Sequence, residues 1–279
     1  MSTKWGSLHI DDYMRGNITE REFLKNTQYF KRWGYDYNLY REIINFAKAK
    51  NIPIVALNLR SEITDNVSKG GLDILTEEQK KEIPKDMDMS DEAYRQRLKD
   101  IFDQHGSQGF GNFNDFYQSQ ILWDETMAHS VDDFLKQNPD YHMVVLAGAG
   151  HIMYGSGIPK RAYRLNGNDY ATLIQNPDTI DGDIASFVLF PKPTSLPPTP
   201  LLGIFPNETG GRVKIESIES GSVAEKAGLK EGDILLSIDG WNIGAIEDIK
   251  ISIFDKRQGD SVKVRVLRNG KELELTATF

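Results

Sequence analysis

The sequence predicts an α/β protein with a mixed, mainly parallel sheet flanked by helices, followed by a smaller domain folded as a partly open β-barrel. Two short apolar runs, Ile54–Leu57 and Met143–Ala147, have the length of strands buried on both faces, and each follows a segment with helical periodicity. Five prolines within residues 191–200 favour an extended spacer, because proline continues neither a helix nor a sheet. Short strands and tight turns follow. We therefore predict domains at residues 1–190 and 201–279, joined by this linker.

Caps and apolar stripes predict the helices of the larger domain. Thr19 and Glu22 form a capping box, in which two side chains satisfy the first free backbone N–H groups of a helix. Residues 61–90 are polar and predict a loop with one short helix, and residues 158–164 predict a short basic segment. A last strand is predicted over residues 184–190. The predicted helices span residues 19–33, 37–50, 76–83, 90–104 and 114–137.

The smaller domain shows the signals of short strands joined by turns. Ser222 and Glu225 form a capping box, which predicts a helix over residues 223–227. Asn269-Gly270 is the two-residue turn that most favours a hairpin. A second helix is predicted over residues 246–256. The predicted strands span residues 213–218, 234–238, 262–267 and 273–279.

Composition and charge exclude several classes of function. The net charge of −8 argues against a nucleic-acid partner, because phosphates are neutralised by a basic surface. The absence of cysteine excludes disulfides, thiolate metal sites and a cysteine nucleophile. No apolar run approaches the roughly 20 residues that span a bilayer. Residues 1–16 lack the apolar segment of a signal peptide, so we expect an intracellular chain or the trimmed form of an exported one.

His151 is the candidate ligand-binding residue that the sequence places best. It follows the second apolar run across Gly148 and Gly150, which let the backbone turn sharply. Asn58 and Arg60 follow the first apolar run in the same way. Because ligands bind at the carboxyl ends of strands in open α/β sheets, we expect these side chains to line one polar cleft.

Gln120 and Asp124 interrupt the apolar stripe of the helix predicted over residues 114–137. A buried carboxylate needs a partner, because its desolvation is costly. The two side chains therefore either hydrogen-bond a neighbouring loop or face a ligand, and the sequence leaves both alternatives open.

Two segments of the smaller domain, Leu201-Leu-Gly-Ile204 and the run SGSVAEKAGLKEGDILLSIDG from Ser220 to Gly240, resemble a bacterial PDZ domain. The resemblance implies that backbone N–H groups bind a terminal carboxylate and that the next strand pairs with an extended or C-terminal peptide. Alternatively, the domain serves packing or dimerisation, with a second copy of the chain as partner. The implied peptide-binding residues are Leu202, Gly203 and Ile204 in the loop and Ile246, Ile249 and Ile253 on the helix beside it.

Residues 7–190 resemble the ChaN-like haem-binding proteins, a family related to the Tiki/TraB group that includes metal-dependent proteases. The resemblance is carried by Trp33 and Tyr40, Ile52–Asn58, Gln120–Ala128 and Val144–His151. The family normally begins with a strand that ends in Gly-Glu-x-His, paired with a second Gly-x-x-His motif. Here the second motif is Gly148-Ala-Gly-His151, and the sequence starts downstream of the first. The family further implies a bacterial protein of the periplasm or envelope.

The resemblance implies a haem or iron site. Haem needs an apolar slot, axial ligands and cations for its propionates. A tyrosine is the iron ligand reported for the family, and the sequence does not show which tyrosine corresponds. Lys160 and Arg161 are further cations for the propionates. The candidate cofactor-binding residues are His151, Tyr154, Tyr40, Tyr117, Asn58, Arg60, Gln120 and Asp124.

Three hypotheses follow. The first is a haem- or iron-binding protein with a peptide-binding PDZ domain, and therefore a binding protein rather than an enzyme. The second is a metal-dependent hydrolase whose PDZ domain recruits substrate termini. Such a metal takes about three protein ligands and a water, and His151 is the one ligand that the sequence places. The third is a PDZ adapter with an inactive α/β scaffold.

Overall fold

The computed structural model describes residues 7–105 and 111–279, which form two compact units. The first, called the histidine unit, comprises the described residues of Val55–Pro193. The second, called the sheet unit, comprises residues 7–54 together with Thr194–Phe279.

Helices dominate the first two-thirds of the chain, and most strands lie in the last third. The α-helices are α1 (Ser7–Met14), α2 (Glu20–Asn26), α3 (Tyr29–Arg32), α4 (Asn38–Ala49), α5 (Ser61–Gly70), α6 (Glu77–Lys80), α7 (Glu92–His105), α8 (Phe113–Gln137), α9 (Ile158–Asn166), α10 (Val223–Lys226) and α11 (Ile246–Ile253). The strands are β1 (Leu173–Gln175), β2 (Phe187–Leu189), β3 (Ile204–Thr209), β4 (Arg212–Ile218), β5 (Ile234–Ile238), β6 (Trp241–Asn242), β7 (Ser261–Arg268) and β8 (Lys271–Thr278). Within these described residues, no helix is both long and apolar enough to cross a membrane.

The histidine unit is built around α8, which agrees with the predicted helix over 114–137 to within one residue. Leu122 packs against Ile63 of α5 in one apolar cluster. Ile121 packs against Leu98 of α7 in a second cluster. The helix α5 lies in a segment that was predicted to be loop, and α9 extends the predicted basic segment into a helix.

The two strands predicted from the apolar runs are wrong. Residues 52–60 and 141–148 have no strand pairing, and a strand forms only with a hydrogen-bonded neighbour. Val144 is 87% and Leu146 is 61% exposed, whereas a strand buried on both faces was expected. The parallel sheet of the described residues consists of β1 and β2, paired with Leu173 opposite Phe187. The strand predicted over 184–190 is present as β2.

The sheet unit contains an antiparallel sheet with the strand order β3-β4-β5-β7-β8, and β6 pairs with β5. Its core includes Val213, Leu235 and Val264, which are buried almost completely. The predicted hairpin is confirmed: Asn269 and Gly270 join β7 to β8, both with positive φ (51° and 75°). The structure therefore confirms a chain of mixed helix and sheet, with an antiparallel sheet in its C-terminal part.

Residues 7–54 pack in the sheet unit, so the compact units differ from the predicted domain boundaries. The cause is a second apolar cluster in which Leu24 and Tyr37 are buried against Ile251 and Phe254. The predicted helix over 19–33 is divided into α2 and α3 because Gln28 adopts a left-handed conformation (φ 51°).

Candidate functional site

The imidazole of His151 is held by a buried carboxylate of α8. Its Nδ1 lies 2.7 Å from Oδ1 of Asp124. The His151 side chain is 21% exposed, whereas the Asp124 side chain is inaccessible to solvent. A carboxylate accepts hydrogen bonds, so Nδ1 of His151 is the donor and Nε2 faces away from Asp124. No hydrogen bond to Nε2 is found within residues 7–105 and 111–279.

Asp124 is fixed by a second donor. The hydroxyl of Tyr94 on α7 donates to the other carboxylate oxygen at 2.8 Å. Burial first, and then the charge of Asp124, raise the pKa of Tyr94 far above its usual range. The phenol therefore stays protonated and keeps donating at any physiological pH. The carboxylate thus has both oxygens engaged and holds the imidazole in one orientation.

The backbone after His151 is a tight turn that needs glycine. Gly157 has a φ of 66°, and a Cβ at this position would lie 2.4 Å from the carbonyl oxygen of His151. The turn is also tied to a more distant segment, because the N–H of Tyr154 donates to the carbonyl of Ile184 at 2.8 Å. Tyr154 itself adopts a left-handed conformation (φ 62°). Several independent contacts and conformations therefore fix the backbone that carries the imidazole.

A buried ion-pair network supports the same turn. Arg161 of α9 is 2% exposed and donates to the carbonyls of Gly157 (3.2 Å) and Asp88 (3.0 Å). Its Nε lies 3.1 Å from Oε1 of Glu125, the α8 residue after Asp124. Arg164 pairs with the other oxygen of Glu125 at 2.7 Å. Arg161 thus fixes the start of α9 and is not exposed as a propionate-binding cation would be.

The two tyrosines predicted as ligands in this unit use their hydroxyls elsewhere. Tyr117 is 3% exposed and donates to the carbonyl of Met89 at 2.9 Å, and burial raises its pKa. Tyr154 donates to Asp181 at 2.9 Å, and this hydrogen bond is the main cause that raises its pKa. A tyrosine ligates iron as phenolate, so both environments oppose that role.

The remaining predicted residues have local contacts. The side chain of Asn58 accepts from the N–H of Leu59 at 2.8 Å, and Arg60 forms an ion pair with Glu82. Gln120 is half-buried on α8. Tyr40 belongs to the sheet unit, where its ring lies 6.1 Å from that of Trp33. Of the predicted set, the structure joins Asp124 directly to His151.

An aromatic ring and two cations flank the His151 turn. The indole of Trp123 meets the imidazole edge-on, with 5.9 Å between ring centroids. Arg97 donates to the hydroxyl of Ser156 and lies 4.5 Å above the ring of Tyr154. Lys160 is exposed and pairs with Asp91 at 2.7 Å. In the part of the chain that the structure describes, no three His, Asp or Glu side chains cluster as a metal site.

The PDZ resemblance places the peptide-binding groove between β3 and α11 of the sheet unit, and these two elements are in contact. β3 is a terminal strand of the sheet, so a further strand could pair with it. The carbonyls of the preceding loop are tied down: Leu202 accepts from the N–H of Ala224 at 2.8 Å, and Gly203 accepts from that of Glu219 at 2.9 Å. Gly203 has a φ of 75°, and a Cβ there would lie 2.3 Å from the Cβ of Ser222. This loop therefore needs glycine.

The predicted groove residues lie on α11 and at the start of β3. Ile246 and Ile204 are half-buried, whereas Ile249 is 7% and Ile253 is 4% exposed. All four belong to the core between the helix and the sheet. They give the groove an aliphatic lining.

Sequence reasoning missed the residues that support the His151 turn. Tyr94 lies on the helix predicted over residues 90–104, and its position there does not reveal the partner of its hydroxyl. Glu125 gave no signal beside Asp124, because the side chains of two adjacent helical residues point in different directions. Gly157 follows closely after Gly148, Gly150 and Gly155 in the sequence, and this cluster of glycines was the available signal for a strained turn.

Comparisons with known proteins agree on two segments. A family model described as "Haem-binding uptake, Tiki superfamily, ChaN" matches residues 5–162, and a PDZ domain model matches residues 200–278.

Two curated relatives each match about a quarter of this chain. "Serine protease Do-like HtrA" of Bacillus subtilis (strain 168) is 41% identical over 73 residues, which are 26% of this chain and 16% of that protein. "Serine protease Do-like HtrB" of the same strain is 35% identical over 79 residues, 28% of this chain and 17% of that protein. A solved serine endoprotease from Yersinia pestis is 25% identical, covers 28% of this chain and 27% of its own, and has a TM-score of 0.25. The chain thus spans less than a fifth of the curated relatives named here.

Proposed function

The chain belongs to the ChaN family of haem-binding uptake proteins, within the Tiki superfamily, and carries a PDZ domain, and we propose that it binds haem at His151 and the C-terminus of another protein in the β3–α11 groove. The observation that carries the haem part is the imidazole of His151, fixed by Asp124 at 2.7 Å with its Nε2 directed away.

The donor set suits haem better than a catalytic metal. One oriented imidazole suffices as an axial ligand of haem iron, whereas a catalytic zinc takes about three protein ligands. A carboxylate behind the ligating imidazole increases its basicity and holds its tautomer. When bound, haem supplies an iron that the protein carries for uptake. The residues of this chain bind and orient it, so the proposed activity is binding rather than catalysis.

Other residues of the turn complete the proposed site. The indole of Trp123 provides an apolar edge beside the imidazole. We assign Arg97 and Lys160 to the propionates, because Arg97 donates to the hydroxyl of Ser156 in the turn and the exposed Lys160 lies on α9 just after it. Tyr117 and Tyr154 are not assigned as ligands, because their hydroxyls donate to the carbonyl of Met89 and to Asp181.

Haemin titration tests this part. The wild type should develop a shifted, sharpened Soret band with one equivalent of haemin, and His151→Ala should lose it. His142→Ala is the matched control, because His142 is exposed in the extended segment before the turn. Asp124→Asn should weaken binding by about 10- to 100-fold, the usual effect of removing a carboxylate behind a ligating histidine. Equal haemin affinity of His151→Ala and the wild type would contradict the proposal.

The peptide part is supported by the PDZ match and by the groove geometry. The free edge of β3 can pair with an extended peptide, and the loop at Gly203 precedes it. The isoleucines of α11 favour an aliphatic last residue. A fluorescent decapeptide ending in valine with a free carboxylate should therefore bind, and the same peptide with an amidated C-terminus should not. Equal binding of both peptides would exclude carboxylate recognition.

A further inference from the structure

The groove helix α11 is packed on two opposite faces within the sheet unit. Ile249 and Ile253 face the sheet core. Ile251, which is 2% exposed, and Phe254 just after the helix join the apolar cluster of α2 and α4. The element that would move when a peptide enters the groove is therefore fixed from behind. We call α2 and α4, with the segment between them, the backing layer.

Polar contacts fasten the backing layer along the length of α11. Near its start, Lys25 forms an ion pair at 2.7 Å with Asp248, whose side chain is 2% exposed. Near its end, the side-chain amide of Asn38 donates to the carbonyl of Phe254 at 2.8 Å. The ring of Tyr37, which is fully buried, lies 5.6 Å from that of Phe254.

Asp248 links this fastening to the groove. Its second carboxylate oxygen accepts from the N–H groups of Gly244 and Ala245, both at 3.0 Å, and so caps the first turn of α11. Lys25 therefore stabilises the charge of the residue that positions the start of the groove helix.

The front of the groove is held narrow. Because Ile249 and Ile253 are 7% and 4% exposed, a peptide side chain reaches them only if α11 and β3 separate. At one end, a carboxylate oxygen of Glu208 on β3 accepts from the N–H of Ile246 at 3.1 Å. This hydrogen bond joins the strand to the first residue of the helix across the groove.

We infer that the backing layer and Glu208 form an autoinhibitory restraint: they hold α11 in place beside β3, so that a peptide enters only when the helix slides out of its contacts with both. The inference rests on the proposed peptide binding. Opening the groove breaks the Glu208 hydrogen bond and loosens the contacts made by Lys25 and Asn38. Peptide affinity is thereby coupled to residues more than 200 positions away in the sequence, and the coupling is reciprocal.

Binding of the valine-ending decapeptide to the full chain tests the restraint. Glu208→Ala and Asn38→Ala should each tighten binding about three- to tenfold, the effect of removing one hydrogen bond that opening must break. Glu231→Ala and Lys50→Ala are matched controls, because both side chains are exposed on the same unit; they should leave the affinity unchanged. Thermal unfolding of every variant reports whether it is folded.

Hydrogen exchange supplies a second measurement that does not depend on a variant. A saturating concentration of the decapeptide should speed amide exchange in α2 and α4, because the layer yields when the groove opens. If the wild type binds but neither variant binds more tightly, or if exchange in the layer slows, the restraint is refuted while peptide binding stands. If neither the wild type nor a variant binds, both proposals fail. Binding by the variants alone would support the restraint most directly.

Discussion

Leu24→Ala should destabilise the C-terminal sheet, although the first strand of that sheet begins 180 residues later in the chain. Leu24 of α2 is fully buried in the cluster that contains Ile251 and Phe254. Truncation of a buried leucine to alanine costs about 2–5 kcal/mol of stability, since it removes transfer free energy and leaves a cavity. If the backing layer and the sheet unfold together, the free energy of unfolding of the sheet falls by this full amount.

Amide hydrogen exchange of β7 measures that cost. Val264 and Val266 are fully buried in the centre of the sheet, so their amides exchange through global opening of the unit. A loss of 2–5 kcal/mol speeds this exchange by about 30-fold to a few thousand-fold, because each 1.4 kcal/mol is a factor of ten. Leu39→Ala on α4 is the matched control. Leu39 is 53% exposed, and exposed truncations change stability by less than about 0.5 kcal/mol.

The result that would refute this reasoning is unchanged exchange in β7 of Leu24→Ala together with faster exchange in α2. It would mean that residues 7–54 unfold by themselves and contribute nothing to the sheet. The domain boundary predicted from the sequence would then describe the cooperative units better than the compact units do.

Three further predictions concern single residues. Gly157→Ala should abolish haemin binding in a Soret titration with unchanged far-ultraviolet circular dichroism, because its Cβ would meet the carbonyl of His151 at 2.4 Å. Gly203→Ala should abolish decapeptide binding in fluorescence polarisation, because its Cβ would lie 2.3 Å from a serine side chain. Arg268→Met should cost about 3 kcal/mol in urea unfolding at pH 7, since it leaves the buried Asp233 without its ion pair. Burial alone would raise the pKa of Asp233, but hydrogen bonds from Arg268 lower it overall from 3.8. The ion pair therefore makes its full contribution to the stability of the folded protein above about pH 4. The difference in stability between variant and wild type should shrink as the pH falls through the folded-state pKa of Asp233.

The elements with local signals were predictable from the sequence. The capping box at Thr19 begins α2, and Asn269-Gly270 forms the hairpin, because both act through neighbouring backbone groups. The absence of the strands expected at 54–57 and 143–147 was not predictable, since an apolar run indicates that a segment is extended or buried but not whether a partner strand pairs with it. The packing of residues 7–54 in the sheet unit was not predicted for the same reason, because an apolar stripe shows that a helix face is buried without showing against which element.

The candidate site was likewise predictable from the sequence only in part. The sequence left open whether Asp124 hydrogen-bonds a neighbouring loop or faces a ligand, and the structure has its carboxylate in hydrogen-bonding contact with His151 of the glycine turn. Their role as a haem site stays a prediction. The sequence could not show that Tyr94 closes the network, because the pairing joins α7 to α8 across 30 positions.

The cost of the His151 network is itself an argument for a ligand. Asp124 is inaccessible to solvent, and a well-packed apolar residue would stabilise α8 as well or better than a buried carboxylate. The turn also holds Tyr154 and Gly157 in left-handed conformations, and non-glycine residues adopt these at a cost of about 1–3 kcal/mol. Stability alone accounts for neither feature. Both follow if the chain must present one nitrogen of one imidazole in a fixed direction, since a ligand for iron has to be oriented before the haem arrives and a core histidine does not.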